Sequence, residues 1–139
     1  MPSCLTAAEK SYFDGKCLPA VMPQCSSLSS AQLAQANDGN NLINWLRGQT
    51  QYQSTLYRYR EFALGDTVDA KPAFVSKPNL SYNDVVTPSY STFQSANAGR
   101  QSVLYIGAND GMLHALNSGT GDEMWSYIPR MVLPGLYYL

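Results

Sequence analysis

Three apolar stretches, each about as long as a β-strand, stand out between residues 103 and 129, where glycine turns separate them. The first turn, Asn109-Asp110-Gly111, supplies the residue types that adopt positive φ in a tight hairpin. The second turn spans residues 118–122 and leads into a stretch that contains Trp125. The pattern therefore predicts three consecutive antiparallel strands joined by two short turns.

Strands of this length and spacing are typical of one blade of a β-propeller, a fold in which about four to eight small sheets close into a ring. A blade buries both of its faces only against its neighbours. The chain contains one such unit within 139 residues, which is the length of about one domain. We therefore expect a partial propeller that is incomplete without further chain or a partner.

The first third of the chain has a helical pattern instead. Residues 28–36 and 42–47 contain good helix formers with apolar residues at helical spacing. We expect Asn41 to cap the second helix and Gly48 to end it. The expected buried side of that helix consists of Leu42, Ile43, Trp45 and Leu46.

These patterns predict three segments. Residues 1–27 mix proline, glycine and cysteine without any period and are expected to be irregular. Residues 28–56 form a short helical segment, and residues 57–139 begin a propeller domain that includes the blade at 103–129. The expected fold class is mainly β with short N-terminal helices.

Two further short strands are expected before the blade. Residues 57–60 alternate tyrosine with arginine, which predicts a strand with aromatic and cationic side chains on opposite faces. Residues 73–75 are apolar and predict another. Residues 77–100 are rich in serine, asparagine and proline, so we interpret them as a long loop.

Charge and hydropathy exclude two classes of interaction. Nine Lys+Arg against ten Asp+Glu give a formal net charge of −1 with scattered arginines, so we expect no binding to nucleic acid. No run of about 18 apolar residues is present, so we predict no membrane-spanning helix. The start of the chain lacks the features of a secretory signal, and apolar residues 131–139 look like a cut inside a larger domain.

The three cysteines, Cys4, Cys17 and Cys25, all lie near the start of the chain. Their spacing matches no common zinc motif, and the single histidine, His114, lies far along the sequence. In an oxidising compartment we expect a disulfide to order this segment. Which two cysteines pair stays open, and the odd number leaves one thiol free or paired outside the chain.

No set of residues with the spacing of a known catalytic or phosphate-binding motif occurs in the sequence. His114 is expected on the less buried face of a strand, and the adjacent carboxylates of Asp122 and Glu123 are expected to be solvated. The oxygen-rich stretches at 37–41 and 109–111 lack the acidic residue that ends a calcium loop. We therefore predict that the chain is not an enzyme and binds no metal.

Ala115, Asn117, Gly121 and Trp125 are spaced as A-x-N-x-x-x-G-x-x-x-W. This spacing resembles the tryptophan-docking repeat of quinoprotein-type propellers, except that asparagine replaces the aspartate of that family. The resemblance implies a quinoprotein-like blade in which the tryptophan packs between neighbouring blades and the turn residues support it. The residues of a quinone site have no counterpart here.

Four longer motifs follow one another along the chain: N-L-I-N-W-L-R-G at residues 41–48, R-Y-R-x-x-x-L-G-D-x-V-x-x-x-P at 58–72, L-Y-I-G-A-N-D-G-M-L-H-A-L at 104–116, and W-S-Y-I-P at 125–129. In this order they resemble the PilC/PilY-type family of proteins associated with type IV pili. The resemblance covers about residues 28–139. It implies a non-enzymatic, exported protein at the pilus tip or outer cell surface that supports pilus assembly and adhesion.

The resemblance also implies partners and site residues. The partners are the remaining propeller blades or another protein chain, and pilins or minor pilins. Some family members have an aspartate-rich calcium loop, which is absent from this sequence, so no cofactor is predicted. The expected site residues are structural: Gly107, Asn109, Asp110, Gly111, Asn117, Gly121 and Trp125.

Two alternative functions remain open at the level of sequence. In the first alternative, the chain is a fragment of a quinoprotein-like propeller from a dehydrogenase or a noncatalytic scaffold. In the second it is a secreted structural subunit that completes its sheet with another chain, because a single blade leaves open strand edges.

Overall fold

In a computed structural model of the protein, residues 5–138 are described. They form two compact units, one from the described residues of Met1–Asp66 and Ile128–Leu139, the other from Thr67–Tyr127. No helix in the described part of the chain is long and apolar enough to cross a membrane. The three segments expected from the sequence stay a prediction.

The first unit contains three short helices, each of which begins at a side-chain cap: α1 (Ala7–Lys10), α2 (Ser30–Ala36) and α3 (Gly39–Leu46). Thr6 with Glu9, and Ser29 with Gln32, form reciprocal capping boxes. Each box satisfies backbone donors that a helix start leaves without partners. Short helices in this unit are therefore stabilised locally at their N-termini.

Helix α3 buries the four apolar side chains expected from the sequence, which are Leu42, Ile43, Trp45 and Leu46. The expected cap at Asn41 is wrong. Asp38 caps the helix instead, with its carboxylate accepting from the Asn40 amide at 2.9 Å. The helix thus begins three residues earlier than expected, at Gly39, whose amide donates to the Asp14 side chain at 2.8 Å.

The segment before α2 is ordered by a disulfide between Cys17 and Cys25 and by a 3₁₀ helix over Pro23–Ser27. The side chain of Asn37 accepts from the Cys17 amide at 2.8 Å and donates to the Cys17 carbonyl at 3.1 Å. Cys4 lies outside the described residues. A second 3₁₀ helix, Arg130–Tyr138, belongs to the same unit.

The strand predicted over residues 57–60 is wrong. Tyr57 forms an isolated bridge with Gln53, and no strand is assigned to these residues. The guanidinium groups of Arg58 and Arg60 both lie over the ring of Trp45, at 5.7 Å and 3.9 Å from its centroid. Residues i and i+2 of a strand share one face, so the common contact of Arg58 and Arg60 with Trp45 agrees with the alternation, but no neighbouring strand pairs with this stretch.

The second unit is built on a four-stranded antiparallel sheet in sequence order, β1 (Ala73–Val75), β2 (Val103–Gly107), β3 (Leu113–Asn117) and β4 (Glu123–Tyr127). Four strands in an up-and-down order are the composition of one propeller blade. The strands predicted at 73–75 and within 103–129 are thus confirmed. One sheet face carries Tyr105, Ala115 and Trp125 in register, and the other carries Ile106 opposite His114.

A helix, α4 (Tyr90–Ala96), precedes β2. It lies inside the stretch interpreted from the sequence as a loop, so that prediction is wrong for these residues. The serine-rich composition that suggested a loop supplies the start of the helix, because the Ser89 hydroxyl accepts from the Thr92 amide at 3.3 Å. The Asp84 carboxylate accepts from the Tyr90 amide at 2.9 Å.

Candidate functional site

The turn between β2 and β3 positions the first group of candidate residues. The Ala108 amide donates to the Met112 carbonyl and the Gly111 amide to the Ala108 carbonyl, each at 3.1 Å. Gly111 has a φ of 79°, in the region that favours glycine. Asp110 is almost fully buried in this turn, and its Oδ1 accepts from the Met112 amide at 3.0 Å.

Asp110, His114 and Glu123 form a chain of hydrogen bonds that we call the histidine clasp. Nε2 of His114 lies 3.0 Å from Oδ2 of Asp110, and Nδ1 lies 2.7 Å from Oε1 of Glu123. His114 is 5% exposed. The expectation that His114 lies on a less buried face is therefore wrong, and Glu123, although half exposed, is bonded rather than free in solvent.

A β-bulge brings Glu123 to this side of the sheet. Ala115 pairs with Trp125, but Leu116 pairs with Glu123, so that Met124 is an extra residue in β4. In a regular ladder Glu123 would oppose Asn117 and point to the face that carries Trp125. A one-residue register shift moves a side chain to the other face, and here it places a carboxylate beside His114.

The electrostatics of the clasp favour a charged imidazole. Burial alone lowers the pKa of His114, but the hydrogen bonds to Glu123 and Asp110, with the two negative charges, raise this pKa above its ordinary value of 6.5. Only the protonated ring donates from both nitrogens. With both nitrogens bonded to carboxylates, neither is available to activate a nucleophile.

The arrangement therefore acts as a cross-link between the first hairpin and β4. The described residues contain no group of three or more His, Cys, Asp or Glu side chains that could hold a metal ion.

The turn between β3 and β4 holds Asn117 and Gly121. The Asn117 amide donates to the Asp122 carbonyl and the Gly121 amide to the Asn117 carbonyl, both at 2.8 Å. Oδ1 of Asn117 accepts from the Gly119 amide at 2.9 Å. Asparagine and aspartate both have this acceptor oxygen. Asn117 can therefore make the same turn hydrogen bond as the aspartate of the docking repeat.

The opposite face of the sheet carries an aromatic row that we call the tryptophan face. Tyr105, Ala115 and Trp125 are aligned across three strands, and the two rings lie 5.7 Å apart above the fully buried Ala115. Trp125 is 45% exposed and Tyr127 is 55% exposed. The role of Trp125 as a plug between blades stays a prediction.

The sequence did not point to a second aromatic cluster, around Trp45 in the first unit. The Arg60 guanidinium stacks on the Trp45 ring and also donates to the Trp45 carbonyl. Tyr57 lies beside the same ring, with centroids 5.5 Å apart. The alternation of tyrosine and arginine at 57–60 was the sequence signal closest to this cluster. It indicated a strand and did not reveal that these residues contact Trp45.

Comparison with known proteins gives the family. The model of the PilY1 beta-propeller domain matches residues 64–134, just over half of the chain. The chain is 36% identical over 112 residues to a type IV pilus biogenesis factor PilY1 homolog of Xylella fastidiosa, which covers 76% of the chain and 9% of that protein. It is 38% identical over 106 residues to type IV pilus biogenesis factor PilY1 of Pseudomonas aeruginosa strain PAK, covering 73% of the chain and 9% of that protein.

A second PilY1 homolog of Xylella fastidiosa is 34% identical over 115 residues, covering 72% of the chain and 8% of that protein. No solved structure matches the chain. The chain spans less than a tenth of the length of these relatives. The match confirms the resemblance to the PilC/PilY-type family and the partial propeller fold, and the chain belongs to the PilY1 β-propeller family.

Proposed function

We propose that this chain is part of a type IV pilus biogenesis protein and acts by binding and assembly, without catalysis. The support is its membership of the PilY1 β-propeller family and its similarity to relatives that are named type IV pilus biogenesis factors. On this proposal the protein is located at the pilus tip or the outer cell surface and also supports adhesion.

The tryptophan face carries the proposal. Single exposed apolar residues are ordinary, but a contiguous apolar patch on a sheet marks a surface that another body covers. Val75, Leu113, Trp125 and Tyr127 are all exposed by more than a third and lie on this one face. We propose that a neighbouring propeller blade, or a chain that completes the propeller, packs here, with residues 57–139 as the start of the propeller domain.

The histidine clasp supports a structural role for the opposite side of the blade. Its three side chains satisfy one another, and the ring nitrogens have no capacity left for proton transfer to a substrate. The proposed site residues from Gly107 to Trp125 therefore act by holding the turns and the blade surface.

Deletion of the gene that encodes this chain in its host tests the pilus role. Surface pili counted by electron microscopy are expected to fall sharply and to return when the wild-type gene is restored. An unchanged number of pili in the deletion strain contradicts the proposal.

Two finer parts of the proposal have separate tests. Immunogold labelling is expected to place the protein on pili or the outer surface, and label confined to the cell interior contradicts that location. Crosslinking on intact cells is expected to recover pilins or minor pilins. Adhesion is measured as attachment to host cells or plastic in a strain that keeps its pili, and unchanged attachment contradicts an adhesive role.

A further inference from the structure

We propose that a groove in the first unit binds an acidic segment of a partner protein. The groove has a volume of about 470 Å³ and is lined by residues of the first unit alone. This size is within the range of about 300–1,000 Å³ typical of ligand-binding clefts. The inference concerns a different surface from the tryptophan face and does not depend on the pilus role.

The groove has an apolar lining next to its polar groups. Val21, Met22, Leu42 and Leu56 contribute to this lining. Val21 is 67% exposed, so the apolar surface reaches solvent. A bound segment with apolar side chains at some positions gains burial there.

The charges that line the groove are all positive. Lys16 and Arg58 are its two charged residues, and no Asp or Glu lines it among the described residues. The Lys16 ammonium lies 5.0 Å from the centroid of the Tyr137 ring. Each cation thus lies against an aromatic ring, Lys16 on Tyr137 and Arg58 on Trp45, an arrangement that attracts carboxylates to a defined place.

Two residues that line the groove also carry hydrogen-bond donors without acceptors. The indole N–H of Trp45 and the hydroxyl of Tyr57 are buried with no hydrogen-bond partner among the described residues. Trp45 is 4% exposed. Both side chains also border a small cavity of about 10 Å³, which has room for about one water molecule. A buried donor without an acceptor is costly, so an acceptor-rich ligand is favoured.

Tyr57 keeps its proton across the physiological range. Burial, followed by the nearby Asp38 and Tyr52, raises the pKa of Tyr57 to about 12. The hydroxyl therefore stays available as a donor. The negative charge of Asp38 disfavours an anion at this point, but Asp38 does not line the groove, and the two cations that do line it have the opposite effect.

Donors, cations and apolar surface together match a segment in which glutamate or aspartate alternates with apolar residues. The test uses fluorescein-labelled Gly-Glu-Phe-Glu-Glu-Phe-Glu-Gly and the same peptide with every Glu replaced by Gln. Fluorescence anisotropy with the 139-residue chain is expected to show binding of the acidic peptide at least about tenfold tighter than of the neutral one. Equal affinities, or no binding of the acidic peptide, overturn the proposal.

Substitutions locate the binding. Tyr57→Phe is expected to weaken binding of the acidic peptide about tenfold, because one charge-assisted hydrogen bond is lost. Tyr59→Phe, outside the groove, is the matched control. Lys16→Gln is expected to weaken binding about threefold, whereas Lys71→Gln removes the same charge in the second unit and leaves the affinity unchanged. Equal effects of target and control substitutions contradict the proposed site.

A measurement on the unaltered protein removes the dependence on the folding of variants. The chain has two tryptophans, so the side-chain N–H signals of Trp45 and Trp125 are distinguishable by nuclear magnetic resonance. Addition of the acidic peptide is expected to shift the Trp45 signal and to leave the Trp125 signal in place. A shift of Trp125 alone, or self-association in place of peptide binding in ultracentrifugation, overturns the proposal.

Discussion

His114 Nδ1 and Glu123 Oε1 lie 2.7 Å apart, and this contact exists because β4 contains one more residue than β3 at the bulge. The carboxylate reaches the histidine across neighbouring strands, while Asp110 holds the other ring nitrogen from the preceding turn. The charge state of the His114 ring therefore depends both on the β2–β3 turn, which positions Asp110, and on the bulge, which positions Glu123.

Stability is expected to fall as pH rises through the pKa of His114. The folded-state pKa is raised above 6.5, so the stabilising contribution is complete below about pH 6.5 and is lost above the folded value. Asp110 and Glu123 are the charged groups that face the ring. Urea unfolding of wild type and His114→Gln is expected to show a larger difference in unfolding free energy at about pH 6 than at about pH 9.

His114 is the single histidine of the chain, so its resonances are assigned without ambiguity. A titration followed by nuclear magnetic resonance is expected to give a pKa above 6.5 in the folded protein. A value below 6.5, or a wild-type advantage that grows with pH, contradicts the clasp as described.

Trp125→Ala is expected to lower the unfolding free energy of this chain by about 1–2 kcal/mol, because a half-exposed ring loses part of its burial and its contact with Tyr105. In a longer chain that includes neighbouring blades, the same substitution is expected to cost about 3–5 kcal/mol if Trp125 packs between blades. Urea unfolding of both chains provides the comparison. Tyr59→Ala, at an exposed tyrosine outside the sheet, is the control, and equal losses for Trp125→Ala in the two chains contradict the inter-blade role.

Gly39→Ala is expected to destabilise the first unit by about 1–3 kcal/mol through overpacking. A Cβ at this position would lie 2.5 Å from Oδ1 of Asp14 and 3.1 Å from its backbone nitrogen. Gly99→Ala, where a Cβ meets nothing within 4 Å, is the matched control. Thermal unfolding of both variants is the measurement, and a melting temperature for Gly39→Ala at or above that of Gly99→Ala is evidence against this packing.

Removal of the disulfide is expected to destabilise the first unit by about 2–3 kcal/mol, since the bond closes a short loop. Cys17 and Cys25 are separated by 8 positions. The double substitution Cys17→Ser with Cys25→Ser, compared with wild type under oxidising and reducing conditions, measures the loss. Wild type under reducing conditions is expected to approach the double variant, and a wild-type stability that is insensitive to reductant contradicts the bond.

Local signals predicted a good part of the fold. The first hairpin was predictable because Asn109-Asp110-Gly111 combines turn chemistry with apolar strands on both sides. The buried side of α3 was predictable because Leu42, Ile43, Trp45 and Leu46 recur at helical spacing. In each case neighbouring residues along the chain determine the structure, so no knowledge of distant contacts was needed.

The rest depended on contacts between residues far apart in sequence. The bulge at Met124 results from the pairing of β3 with β4, and no pattern within β4 alone reveals that Glu123 changes face. The arrangement of Arg58 and Arg60 depends on Trp45, which lies in α3. The alternation of tyrosine and arginine within residues 57–60 suggested a strand. This local pattern carries no information on the contact with Trp45.

The extra residue at Met124 also makes the sheet two-sided in its chemistry. On one side the imidazolium of His114 lies between two carboxylates, with His114 and Asp110 buried and Glu123 half exposed. On the other side, the tryptophan face, the bulge has removed the carboxylate of Glu123, so Tyr105 and Trp125 lie among uncharged residues. The two faces of this blade therefore differ in polarity, so the two neighbouring sheets that a propeller requires would each meet a different surface.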